Sequence, residues 1–123
     1  MTVTSPRILD DRFLQQLAQR AQADAFVARH RTLADVTIGV RLSGSTDAIW
    51  LHVTPDQVES GRGDRAAFTF VGNEAALQDL SDGFPFNRLV RQHRLTVEGD
   101  LRHCVQNWLL IHAVLRLCHS GSE

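Results

Sequence analysis

The chain has no lysine and no tyrosine, and only two cysteines, three prolines and one methionine among its 123 residues. Two cysteines cannot staple a small secreted scaffold, so the disulfide-rich class is excluded. Glycine and proline are too sparse for a collagen-like or low-complexity repeat. The longest stretch without Asp, Glu, Lys or Arg, His103 to Leu115, has 13 residues, whereas a bilayer-spanning helix needs about 20. A transmembrane segment is therefore not expected. No basic region followed by an apolar run opens the chain, since Met1 to Pro6 leads straight into Arg7 to Arg12. No secretory signal is read there, and the expected location is cytoplasmic. The net charge is −1 and the arginines are scattered, which leaves no basic stripe to track a phosphate backbone. Nucleic acid is not an expected partner.

What the chain does have is 43% hydrophobic residues, enough for a core. A chain of this length buries roughly two thirds of its unfolded surface and makes one domain, taken as residues 1–123. From Asp10 to about residue 30, Phe13, Leu14, Leu17, Ala18, Ala21 and Ala25 share one helical stripe, with Asp10 as N-cap. The period then changes. Val36, Ile38, Val40 and Leu42 alternate with polar or small residues, and Ile49, Leu51 and Val53 do so after the turn residues Ser43 to Asp47, predicting an antiparallel hairpin. A piece around Val58 reads as a third strand or a connector. Phe68 and Phe70 face one way and Ala67, Thr69 and Val71 the other, as in a strand covered on both sides.

Asn73 caps a short helix through Leu77 and Leu80 that Gly83 ends, and a second short helix fits Phe84 to His93. Leu95 and Val97 alternate in a last strand, and Gly99-Asp100 turns into a final helix from Leu101 to about Cys118. The order predicts an α+β fold, a mixed, largely antiparallel sheet of about five strands with helices packed on one face.

That final helix carries the functional question. Projected at about 100° per residue, Leu101, Cys104, Val105, Trp108, Ile111, Leu115 and Cys118 share a face, while Leu109, Leu110, Ala113, Val114 and Leu117 fill the other side. Something apolar must meet both sides. A second protomer, other helices of the chain, or a lipid-like ligand between helix and sheet would each serve.

The run Arg94-Leu95-Thr96-Val97-Glu98-Gly99-Asp100, a strand opening an apolar helix, resembles the last strand and helix of the sterol carrier protein type two (SCP-2) family. Ala67-Phe68-Thr69-Phe70, Gly72 to Leu80 and Gly83 resemble that family's strand, short helix and glycine stop, so the likeness covers about residues 34–118. Within the family, Arg94-Leu95, Glu98-Gly99-Asp100 and Gln106-Asn107 are similar to bacterial accessory proteins of ubiquinone synthesis. The resemblance implies a tunnel between sheet and helices that takes an acyl, sterol or prenyl chain without covalent chemistry or cofactor. Besides such a ligand, the partners considered are a second copy of the chain, which could meet the apolar helix, and the pathway enzymes to which a carrier would present its ligand. The lining expected on the covering helices is Leu77, Leu80, Phe84, Phe86, Leu89, Val105, Trp108, Leu109 and His112.

Other constellations read more plainly as structure. No HExxH pair exists, His103 and His112 lie about 180° apart round one helix, and His112 and His119 about 10 Å apart along it. No metal site is expected. His112 could bond a ligand head group or sit as a satisfied core histidine. Cys104 and Cys118 would be about 21 Å apart on one straight helix, so both are expected as free thiols. Asp100 reads as a helix cap and Glu98 as a solvent-side strand residue rather than as paired catalytic carboxylates. Trp50 and His52 point away from the core, and an uncovered Trp50 would mark a partner surface. Two rivals to the carrier remain: a small cone-shaped α+β barrel enzyme acting on a hydrophobic substrate, and a purely structural dimerisation domain.

Overall fold

The computed structural model describes residues 6–118. A 3-10 turn, Arg7–Leu9, leads into α1 (Asp11–Ala23) and α2 (Ala25–His30). Strands β1 (Val36–Leu42), β2 (Ala48–Val53), β3 (Val58–Arg62) and β4 (Phe68–Gly72) follow. Helices α3 (Glu74–Ser81) and α4 (Phe86–Arg91), strand β5 (Leu95–Gly99), and helices α5 (Leu101–Gln106) and α6 (Trp108–Leu115) come next in the described residues. The five strands lie in the order β3-β2-β1-β4-β5, with β1 and β4 parallel and the other pairs antiparallel. This is the α+β fold with a mixed sheet of five strands that the sequence pattern predicts, and the segment around Val58 is a true edge strand.

Register explains the two faces of the sheet. Ile38 lies beside Leu51 on one side and Phe68 on the other, and Val40 beside Ile49 and Phe70. These side chains form one inward apolar face that the helices cover, and a single buried cluster runs from Ile8 to Cys118. On the outer face, Arg41 is level with Val71 and Glu98 with Thr69. The Arg41–Glu98 ion pair, 2.8 Å, therefore crosses β4 and covers Thr69 and Val71. With the helices over its inner face as well, all of β4 is buried. Trp50 also lies on this face. Its ring is stacked by the Arg65 guanidinium at 4.7 Å, and its Nε1 donates to the Arg62 carbonyl at 3.2 Å. It lies flat over Gly61, where a Cβ would sit 2.3 Å from the ring. The chain's own residues thus engage much of the tryptophan that the pattern marks for a partner.

Both long helices foreseen from the sequence are interrupted. At Asp24 the backbone is extended (φ −79°, ψ 128°), and its carboxylate accepts from the Val27 N–H at 3.0 Å, so a fresh helix starts inside the expected span. At Asn107 (φ −108°, ψ 18°) the side-chain Nδ2 donates to the His103 carbonyl at 2.9 Å. A side chain that competes for a helix carbonyl ends the helix there. The Ile111 N–H donates to the Asn107 carbonyl and begins α6.

Candidate ligand-binding site

The apolar circumference of the last segment is met largely from within the chain. Helix α6 packs against α2, α1 and α4, and Leu110, Ile111, Ala113, Val114, Leu115, Leu117 and Cys118 are all buried. One stripe is left over. Leu101, Val105 and Leu109, each four residues from the next, are 56%, 67% and 64% exposed.

Beside that stripe, between the end of α2 and the α5–α6 joint, lies an open groove of about 260 Å³ lined by His30, Val105, Gln106, Asn107, Trp108, Leu109 and Leu110. Helix α2 forms its wall because Val27 is fully buried and because Arg116 binds Asp24 at 2.5 Å while stacking over Phe26 at 5.1 Å. Burial acts to raise the Asp24 pKa, but the Val27 N–H and the Arg116 guanidinium outweigh it and hold the carboxyl below its ordinary value.

From the groove a series of rings leads into the core. Trp108 touches Phe86 at 4.6 Å between centroids, Phe86 meets Phe70 at 5.4 Å, and Phe70 meets Phe68 at 6.0 Å on the sheet. His112 flanks Phe86 at 6.3 Å, and His103 flanks Phe68 at 5.7 Å. The nine expected lining residues accordingly fall into three environments. Leu77, Leu80, Phe86 and Leu89 are fully enclosed; Phe84, Trp108 and His112 are half-buried; Val105 and Leu109 stand at the surface. The structure joins Val105, Trp108 and Leu109 in the groove and links them through Phe86 to the interior set.

His30, Gln106 and Asn107 are groove residues that the periodicity did not single out. The available signal was Gln106-Asn107 itself, two amides in the middle of an otherwise apolar helix, one of them a poor helix former.

Among the described residues no group of three His, Cys, Asp or Glu is placed to hold a metal, and no helix is long and apolar enough to cross a membrane. His119 lies outside the described residues. Both cysteines are buried and unpaired; burial pushes the Cys104 thiol up to about 11 and the Cys118 thiol to about 12. Thiols so far from ionisation are poor nucleophiles. Asp100 serves as the expected cap, accepting from the His103 N–H at 3.1 Å.

Neither a family model nor a curated relative matches the sequence. Solved structures do match in fold, and the class they define is that of SCP-2. The chain superposes on a crystal structure of sterol carrier protein 2 with a TM-score of 0.74 at 9% identity, over 91% of this chain and 97% of that one. It superposes on the UbiJ-SCP2 ubiquinone synthesis protein with a TM-score of 0.59 at 23% identity, over 85% and 90% of the two chains. Palmitated SCP2L2 from Aedes aegypti gives a TM-score of 0.58 at 9% identity, over 84% and 95%. The protein therefore has the SCP-2 fold.

Proposed function

We propose that the protein is a non-catalytic binder of a chain-bearing hydrophobic metabolite, an acyl, sterol or prenyl-quinone-like molecule, which it holds for a pathway enzyme in the cytoplasm. The observation that carries this is the groove itself: two aliphatic side chains more than 60% exposed, Val105 and Leu109, stand beside Trp108, the first ring of a series that runs to the sheet. Exposed contiguous apolar side chains gain nothing in the isolated monomer. The SCP-2 fold and the palmitate named for one neighbour support a lipid-like occupant.

Leu77, Leu80, Phe86 and Leu89 fill the interior against one another and their neighbours. A tail reaches them only if Trp108 swings aside and the α5–α6 joint at Asn107 opens. The energetics allow it: each methylene removed from water contributes about 0.8 kcal/mol, so ten carbons supply roughly 8 kcal/mol before ordering and opening costs are subtracted. Asp100, which an enzyme reading would use as a catalytic carboxylate, is held as a helix cap by the His103 N–H. The same stripe suits the receiving enzyme or a second protomer once a ligand is aboard.

Native mass spectrometry of protein purified without detergent tests this. A co-purifying lipid mass, lost in a folded Val105→Glu/Leu109→Glu variant, is the expected result. Protein that emerges empty and takes up neither fatty acids, fatty alcohols nor prenyl quinones would overturn it.

A further inference from the structure

The groove beside Trp108 also presents a particular set of polar groups. His30 Nδ1 lies 2.9 Å from the Phe26 carbonyl oxygen. A carbonyl can only accept, so Nδ1 carries the proton and, in the neutral ring, Nε2 is left as a bare acceptor. Asn107 spends one amide N–H on the His103 carbonyl and keeps its Oδ1 as an acceptor, and Gln106 contributes a second, exposed amide. No Arg or Lys is among the groove's lining residues. Arg31, next to His30 in the chain, is directed to the carbonyls of Thr54 and Gln22 at 3.2 and 3.3 Å.

An anionic head placed here would lose water and find no guanidinium to replace it. A hydroxyl would find what it needs: it donates to His30 Nε2 and accepts from an amide N–H of Gln106 or Asn107. The apolar part of the same molecule then runs over Val105 and Leu109 to Trp108.

Resting on the proposed carrier function, we infer that this groove selects an uncharged, hydroxyl-headed amphiphile, a long-chain alcohol or phenol, over a fatty acid anion, with His30 as the residue that reads the head group. His30 then discriminates head groups, while the apolar rim and Trp108 bind any tail.

The chain has two tryptophans, and Trp50 is on the outer face of the sheet, so Trp50→Phe leaves Trp108 as the sole reporter. In that background, decan-1-ol and decanoate are titrated at pH 8, where an imidazole is neutral and a carboxylic acid ionised. The alcohol is expected to bind at least tenfold more tightly. His30→Phe should weaken the alcohol about three- to tenfold, the worth of one hydrogen bond, and leave decanoate unchanged. His30→Gln, which restores an acceptor, should recover most of the loss. Far-UV circular dichroism checks that each variant keeps its helix content, and His30→Leu replaces the Phe variant if α2 is unsettled.

Decanoate binding as tightly as the alcohol, or alcohol binding indifferent to His30 while Trp108 still responds, would overturn the selectivity and leave the carrier function standing. A Trp108 signal that neither compound moves would remove both. Trp108 emission that depends on protein concentration without ligand would mean a second copy fills the groove, and would equally overturn the inference.

Discussion

Helix α1 and the α5–α6 segment begin from the same kind of sequence, an apolar stripe at helical spacing, and end in opposite conditions. In α1 the stripe Phe13, Leu14, Leu17, Ala18 and Ala21 is buried to the last residue, and the glutamines between them face water. In α5–α6 burial is split, with Cys104, Leu110, Ile111 and Val114 enclosed while Leu101, Val105 and Leu109 stay more than half exposed. The first pattern is fully accounted for by folding. The second has an apolar surplus that folding does not use, and this surplus makes the α5–α6 side, rather than the α1 side, the candidate site.

The largest effect that would break the comparison is on stability. Leu17→Ala removes a fully buried side chain and is expected to cost about 3 kcal/mol, seen as a lower midpoint in urea. Leu109→Ser should change stability by less than about 0.5 kcal/mol, as surface substitutions do, yet weaken uptake of an alkyl probe. Equal losses in the two variants would mean that Leu109 is structural after all.

Next in size is a backbone constraint that fixes where α5 starts. Gly99 has φ +99°, and a Cβ there would sit 2.5 Å from the Ala67 carbonyl oxygen. The strand needs this approach because the Asp100 N–H donates to that same carbonyl at 2.9 Å. Gly99→Ala is expected to cost about 2 kcal/mol in chemical denaturation, with the damage centred on β5 and α5 and little change at α1 in hydrogen exchange.

The same contrast shows what could be read in advance. Strand faces followed from strict alternation at Val36 to Leu42 and Ile49 to Val53, and caps followed from Asp10, Asn73 and Asp100, because both depend on residues a few positions apart. The parallel pairing of β1 with β4 joins segments some thirty residues apart, and no local pattern encodes it. The breaks at Asp24 and Asn107 were hidden because the apolar stripes continue across them; only a short polar side chain bonded to nearby backbone marks each. At the site, chemistry was legible and exposure was not. Leu77 and Val105 look alike as apolar helix residues, and only the packing of α3 in the core and the outward turn of α5 separates one from the other.

A smaller effect concerns how α2 is held over the groove. The Asp24 carboxyl titrates below its ordinary value of 3.8 in the folded chain, so the ionised form is the one that folding favours. Its contribution is complete above the unfolded carboxylate range and disappears as pH falls through the lowered folded value. Acidification to that window should loosen α2 from α6 before α1 is affected, read as earlier amide exchange at Val27 than at Leu17. Asp24→Ala removes cap and ion pair together and should cost about 1 kcal/mol at neutral pH, whereas Asp24→Asn keeps the cap and should cost less. An acid transition in which both helices open together would join the two regions that the comparison separates.

The finest distinction leaves stability untouched and lies in the order in which two thiols react. Cys104 is on α5, which rests chiefly on β4, and Cys118 closes the buried cluster behind α6. With burial raising them to about 11 and about 12, neither is appreciably ionised at pH 8, so a disulfide reagent reaches each only when the structure around it opens. If the α5–α6 side is the mobile one, Cys104 is labelled through a local opening that urea hardly accelerates. Cys118 should then be labelled with the steep urea dependence of global unfolding. A bound tail that holds the α5–α6 joint closed should slow the first reaction and spare the mechanism of the second. Equal rates and equal urea slopes for the two cysteines would show that α5 opens only with the whole fold, and would leave no separate motion to admit a ligand.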